Sequence, residues 1–276
     1  MSELYESSYK NNNHFSFGKN WKYFLGSLNQ SKIVNAKKSL CDFLGGPDKI
    51  KNRTFVDIGC GSGLFSLAAY NLGASKIVSV DVDEFSIECV KFLRHKYNAT
   101  PNWKIKMGSA LDNKFIKSIG KFDIVYSWGV LHHTGSMYQG LKNVSEMVLP
   151  EGQLYIALYN DNKRFFEGTS KFWLKEKVFF NKCNPTFKKI IELVYTVYYI
   201  IGLLINRKNP FTYIHNYNSL RGMDFQTDIR DWLGGYPYEY STPKQIIKYF
   251  SKLGFSCTKI NYARSIGCNE YLFSKK

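Results

Sequence analysis

The chain has 276 residues, 44% hydrophobic and 22% charged, a composition that supports a packed core and excludes a wholly disordered chain. Its 38 Lys and Arg against 22 Asp and Glu leave a net charge of +16, which favours anionic partners such as phosphates, nucleic acid or a membrane surface, unless the spread lysines only solvate the surface. No apolar run reaches the roughly 20 residues a spanning helix needs, and six scattered cysteines without CxxC spacing or His partners argue against a disulfide framework or a zinc site.

The opening MSELYESSYKNNNHFSF carries no apolar signal core, so a cytoplasmic protein is expected. Residues 1–48 read as an arm followed by an amphipathic helix over 31–44, with Ile33, Ala36, Leu40 and Phe43/Leu44 on one face and Gly45-Gly46-Pro47 as its stop. From Thr54 a strand–helix alternation begins. Strands are expected at 54–58, 76–80, 104–107, 122–126 and 153–158, and helices at 64–72, 84–97, 115–119 and 138–148. That rhythm predicts an α/β fold, a doubly wound, mostly parallel sheet with helices on both faces. It makes 49–160 the core.

The rhythm stops near Asn160 and returns after Pro243, with a helix at 244–253 and strands near 256–260 and 271–274. Residues 161–242 therefore read as an inserted, mainly helical lobe, and 243–276 as the end of the core. Within the lobe, 190–205 is a 16-residue, nearly apolar stretch between Lys188-Lys189 and Arg207-Lys208. It is too short to span a bilayer. It reads either as a buried helix or as one lying against a membrane surface.

The sharpest signal is Asp57-Ile58-Gly59-Cys60-Gly61-Ser62-Gly63, a strand running into a glycine turn and then a helix. Glycines let a ligand approach the backbone closely. Asp81 ends the next strand, where a carboxylate grips ribose hydroxyls in a Rossmann-like crevice. A dinucleotide oxidoreductase would carry G-x-G-x-x-G. Here Leu64-Phe65-Ser66 follow Gly63, and the acidic Asp57 suits a cationic ligand end better than a pyrophosphate.

DIGCGSG with VSVDVD, and then FDIVYSWGVLHHTG over 122–135, resemble the nucleotide-binding motifs and fourth strand of class I S-adenosylmethionine-dependent methyltransferases, over about 50–160 and again 243–276. The resemblance implies a Rossmann-like fold with S-adenosyl-L-methionine as cofactor. It places Asp57 toward the methionine amino group, indirectly or through water, Gly59, Gly61 and Gly63 under the methionine moiety, and Asp81 on the ribose. Ser109, Ala110 and Asp112 fall in the adenine loop. The family usually has an acid where Ser109 stands, and Asp112 is the candidate replacement. Ser127 and Trp128 would line the cofactor. Three flanking segments, 15–21, 228–239 and 267–270, resemble bacterial methyltransferases of surface-polysaccharide and small-metabolite modification, many named by likeness to ubiquinone-biosynthesis methyltransferases.

Methyl transfer is an in-line displacement that depends on positioning, and a hydroxyl acceptor gains from a general base. His132 and His133, just past the fourth strand, are the candidates, with one of them expected to shape the loop instead. Asp231 is a further catalytic candidate. Asp228, Trp232, Tyr236 and Glu239 surround the Gly234-Gly235 and Pro237 turn and could build a polar acceptor pocket, or a packed lid with solvated acids. Arg221 could clamp an anionic acceptor. Phe17 and Trp21 could close over the cofactor, or staple the arm to the core.

The expected enzyme is thus a methyltransferase acting on a small-molecule acceptor, a hydroxyl of a sugar or other anionic metabolite, with no metal and with peripheral membrane contact as an open branch. A nucleic-acid methyltransferase is the alternative favoured by charge, but no [DN]PP[YFW] motif follows the fourth strand and no RNA-binding module is present. A non-catalytic cofactor-binding partner is the third reading, and the intact turn with Asp81 argues against it.

Overall fold

A computed structural model describes residues 28–99, 102–217 and 225–276. The first helix, α1 (Gln30–Leu44), starts where the Asn29 side chain accepts the Lys32 N–H and ends where Gly45 turns left-handed at φ 95°. It buries Ile33, Ala36, Leu40, Phe43 and Leu44, the face its spacing predicts. β1 (Thr54–Ile58), α2 (Leu64–Asn71), β2 (Lys76–Asp81), α3 (Glu84–Lys96), β3 (Trp103–Met107), α4 (Asn113–Ile119), β4 (Phe122–Trp128), α5 (Met137–Glu146) and β5 (Val148–Tyr159) follow in alternation. Then come α6 (Ser170–Lys182), α7 (Pro185–Ile205), α8 (Pro210–His215), α9 (Phe225–Gly234), α10 (Pro243–Lys252), β6 (Phe255–Asn261) and β7 (Cys268–Lys275).

The seven strands form one sheet in the order β3-β2-β1-β4-β5-β7-β6. The first five are parallel, and β7 runs antiparallel between β5 and β6. Short apolar strands buried on both faces require a helix layer on each side. One face packs Ile116 of α4, Leu141 and Val144 of α5, and Ile246 and Phe250 of α10. The other packs Leu40 of α1, Leu67 of α2, and Val90 and Leu93 of α3. Phe250 is fully buried, and truncating it to alanine should cost about 3–5 kcal/mol.

One expected boundary moves. Val148 opens β5 opposite Phe122 instead of closing the preceding helix, because β5 is a 12-residue strand that starts well before the apolar run that marks it in the sequence.

The described residues divide into two compact units, those within 171–238 and a larger set within 28–170 and 239–276. The whole sheet lies in the larger unit. The division falls inside the expected 161–242 because the flanking residues are hydrogen-bonded to the end of β5. Ser170 Oγ donates to the Asn160 carbonyl at 3.1 Å and accepts the Asn162 N–H at 2.7 Å. Ser241 N–H donates to the Tyr159 carbonyl at 3.1 Å, and Ser241 O accepts the Asp161 N–H at 3.2 Å.

The smaller unit is helical. Trp173 of α6 meets Trp232 of α9 at 5.1 Å and Tyr195 of α7 at 5.6 Å between ring centroids. Asn181 Nδ2 closes α6 onto the Gly234 carbonyl at 2.9 Å. Among the described residues no helix is long and apolar enough to cross a membrane.

Candidate active site

The strand order reverses between β1 and β4, and ligands of open α/β sheets sit in the crevice such a reversal opens. The loop after β1 bends through Gly59 (φ 74°), Gly61 (φ 51°) and Gly63 (φ 81°). At Gly59 the need for glycine is doubled, because a Cβ would lie 2.4 Å from both Val130 methyls. The loops after β1 and β4 therefore pack directly on each other.

Asp81 ends β2. Its Oδ2 accepts the Gly61 N–H and its Oδ1 the Asp83 N–H, both at 2.9 Å. Each carboxylate oxygen has two acceptor directions, so the Gly61 and Asp83 N–H groups do not exhaust the carboxylate. Burial pushes the carboxyl up to about 6, against the pull of the Asp83 and Gly61 N–H groups. A fixed, partly exposed carboxylate beside a left-handed glycine turn has the chemistry to meet the ribose and methionine ends of S-adenosylmethionine.

Asp57, near the end of β1, is tied into the interior. It is buried, and its Oδ2 accepts from Ser66 Oγ at 2.7 Å. Ser66 Oγ lies 2.6 Å from Ser79 Oγ, which accepts the Trp103 indole N–H at 2.8 Å. A carboxylate only accepts, so Ser66 spends its proton on Asp57 and Ser79 must donate to Ser66. The four groups form a one-way relay across β3, β2, α2 and β1. Burial lifts the Asp57 carboxyl to about 7, with the Asp81 charge adding to the lift and the Ser66 hydrogen bond opposing it.

The loop after β3 is fixed by Asn143, which is fully buried and donates to the Ala110 carbonyl at 2.8 Å. Ser109 Oγ accepts the Leu111 N–H at 3.1 Å. Asp112 caps α4, one oxygen accepting the N–H of Lys114 and of Phe115. Asp112 thus holds a helix end through Oδ1.

Ser127 and Trp128 are the last residues of β4, beyond its expected end. Ser127 is fully buried and donates to the Ile58 carbonyl at 2.9 Å, tying β4 to β1. Trp128 is 44% exposed. Its indole N–H donates to Glu270 at 2.7 Å, and Glu270 also accepts from Tyr155 Oη at 3.0 Å and from Asn261 Nδ2 at 2.8 Å.

His132 and His133 form a short 3-10 turn after β4. Their rings lie 4.5 Å apart, and both meet Tyr159 at the end of β5, His132 at 4.0 Å and His133 at 5.3 Å. His132 is buried, and its carbonyl accepts the Glu239 N–H at 2.9 Å. His133 is half-buried. The Glu239 carboxylate accepts the Met137 N–H on both oxygens, at 2.9 and 3.1 Å. It thereby caps α5, whose own Ser136 makes no side-chain cap.

Asp228, Asp231, Trp232 and Tyr236 belong to the smaller unit. Tyr217 Oη donates to Asp228. Lys177 is fully buried, with its Nζ 4.0 Å above the Trp232 ring and 5.2 Å from the Tyr238 ring. That ammonium has no hydrogen-bond partner among the described residues. Burial lowers it to about 7, and the charges of Glu176 and Asp231 resist. Phe17, Trp21 and Arg221 lie outside the described residues. Sequence reasoning missed Ser66, Ser79, Asn143, Tyr159, Lys177 and Glu270. Of these only Glu270 lay in a segment that stood out.

A seven-stranded sheet with one antiparallel strand, a glycine turn after β1 and a carboxylate ending β2 define a class I S-adenosylmethionine-dependent methyltransferase fold, whose cofactor is S-adenosylmethionine. Residues 49–198 match the methyltransferase domain family, and the chain belongs to it. It is 31% identical over 139 residues to a ubiquinone biosynthesis O-methyltransferase of Pelagibacter ubique (strain HTCC1062), across 49% of this chain and 55% of that protein. The chain thus spans about half the length of the curated relatives it matches. In fold it is similar to magnesium protoporphyrin IX methyltransferase from Synechocystis PCC 6803, solved with SAH, at TM-score 0.56 and 15% identity over 94% of both chains. It is also similar to PKMT2 from Rickettsia typhi, solved with AdoHcy, at TM-score 0.59 and 16% identity over 87% of this chain and 52% of that one.

Proposed function

We propose that this protein transfers a methyl group from S-adenosylmethionine to a hydroxyl of a small-molecule acceptor. The observation that carries the reading is Asp81, fastened through both oxygens to the Gly61 and Asp83 N–H groups beside the strand-order reversal. The ubiquinone-biosynthesis O-methyltransferases among its relatives support a hydroxyl as the accepting group. The net charge of +16 supports an acceptor that carries negative charge.

When bound, S-adenosylmethionine supplies a methyl group already activated on a sulfonium. Asp81 would hold the ribose hydroxyls, and the glycine turn would take the methionine end. Ser109 and the second oxygen of Asp112 would meet the base. His133, half-buried beside Tyr159, would accept the acceptor's hydroxyl proton. His132 is the buried partner that fixes the turn through its ring contacts and its carbonyl. Trp128 would wall the crevice, held by Glu270.

The test is transfer of labelled methyl to a panel of phenols, sugars, sugar nucleotides, lipids and RNA. Label on a small hydroxyl compound, lowered by Asp81→Ala at limiting S-adenosylmethionine, is the expected result. Label confined to RNA, or no binding of S-adenosylhomocysteine, would overturn the proposal.

A further inference from the structure

The outer face of α7 is uncovered. Nine apolar side chains between Phe187 and Ile205 are 47–77% exposed. Ile190, Leu193, Val194, Val197, Ile201 and Leu204 carry the pattern, spaced by three and four residues, so they lie along one stripe of the helix. No charged residue interrupts it. At 21 residues the helix is about 31 Å long. A continuous apolar strip of that length is more than a solvated surface ordinarily carries.

The opposite face already has its partners. Leu203 is buried, Tyr195 meets Trp173 at 5.6 Å, and Tyr199 meets Phe225 at 5.4 Å. Glu192, the only acid of the helix, binds Arg230 at 3.2 Å. The helix is therefore anchored in its own unit from behind, and the exposed stripe contributes nothing to that packing.

The charges decide what fits the stripe. Lys188 and Lys189 stand at the amino end, and Arg207 and Lys208 follow the carboxyl end. From 171 to 217 there are eight Lys or Arg against two Glu. If a second copy of this chain lay on the stripe, parallel or antiparallel, cations would face cations at both ends. An anionic bilayer surface satisfies both ends at once. Lys and Arg stems run along the apolar boundary while their heads reach the phosphates. At the amino end a groove of about 360 Å³ is lined by Pro185, Thr186, Lys189, Ile190 and Leu193, apolar walls with one ammonium, which is the chemistry of a lipid chain and its headgroup. Phe211 of α8, six residues past Ile205, is also 87% exposed.

We infer that α7 is a membrane-surface helix, lying in the plane of an anionic bilayer with its Ile190–Leu204 stripe in the acyl boundary and its terminal basic residues on the phosphates. This holds whatever the acceptor of the reaction is.

The experiment is flotation of the full chain with phosphatidylcholine vesicles with and without phosphatidylglycerol, at low and high salt. The protein should float with the anionic vesicles at low salt and lose most of that binding at high salt. Arg207→Glu with Lys208→Glu should lower partitioning on the order of tenfold or more. Leu193→Glu with Val197→Glu should abolish it. Both variants should keep the thermal unfolding midpoint and S-adenosylhomocysteine binding of the parent, which separates lost docking from lost folding. Absence of flotation with anionic vesicles at low salt overturns the inference. So does flotation that survives Leu193→Glu with Val197→Glu, or a dimer that dissociates in that variant while the parent ignores vesicles.

Discussion

The Trp128 indole reaches across β5 to donate to Glu270 at 2.7 Å. Trp128, Ala157, Glu270 and Asn261 pair in one row through β4, β5, β7 and β6. Directly paired residues share a face, and the small Ala157 leaves the gap that the indole spans. Glu270 gathers three donors, from Trp128, Tyr155 and Asn261. Glu270→Ala should therefore destabilise the protein by about 2–3 kcal/mol and shift Trp128 emission to the red. Denaturant unfolding and tryptophan fluorescence read the two effects, and unchanged values in both would remove Glu270 from this role.

Asp81→Ala should weaken S-adenosylhomocysteine binding by about 1–3 kcal/mol, because it removes the acceptor of a hydroxyl pair and strands two backbone N–H groups. Titration calorimetry measures it. Nicotinamide dinucleotides should not bind the parent protein, and tight NAD binding in the same instrument would sink the cofactor assignment.

The raised Asp57 carboxyl has a consequence for stability. Its folded value, about 7, lies above its ordinary value of 3.8. The native state therefore holds the proton more tightly than the unfolded chain between those values. Stability from this group is complete below about pH 4 and is lost as pH rises through 7. Compared with Asp57→Asn, the ligand-free parent should lose roughly 3–4 kcal/mol across that window. Parallel melting curves in pH steps would show a constant gap if Asp57 titrated normally.

Much of this was legible beforehand. The glycine turn and Asp81 can be read because a strand, a turn and the next strand's end are local in sequence. So can the buried face of α1, where 3.6-residue spacing alone selects Ile33, Ala36 and Leu40. Glu270 cannot be read so directly, because its partner Trp128 is 142 residues away and only the antiparallel register of β7 brings them level. Nothing local to Glu239 reports that its carboxylate caps α5 from 102 residues downstream. Lys177 reads as one more solvated lysine, since nothing local reports that Trp232 and Tyr238 will enclose it.

Lys177 has a depressed value of about 7 in place of 10.5. Its charged form is costly when folded, so stability should rise as pH climbs from about 7 toward 10. Lys177→Met keeps the volume without the charge and should remove that rise, leaving the protein at least as stable at pH 7. A loss of several kcal/mol at pH 7 would mean that the contact with Trp232 outweighs the burial of the ammonium.

His133→Ala should lower kcat about 100-fold or more if it acts as base, with S-adenosylhomocysteine affinity unchanged. His132→Ala should instead lower the thermal midpoint, because the buried ring packs between His133 and Tyr159. Activity of His133→Ala equal to the parent would transfer the proton to another group.

Ser170 and Ser241 are both hydrogen-bonded to the last turn of chain after β5, through Asn160 and Tyr159. The chain therefore leaves the sheet and returns to it at one spot, and the intervening segment closes a loop whose ends are already fixed by the larger unit. Lengthening such a loop costs little, about 0.6 kcal/mol per doubling. The length of the insertion is therefore a weak thermodynamic constraint on the pairing of β5 with β7. In engineering terms the interval between Ser170 and Ser241 is a splice point, since both of its ends are held by hydrogen bonds of the larger unit itself.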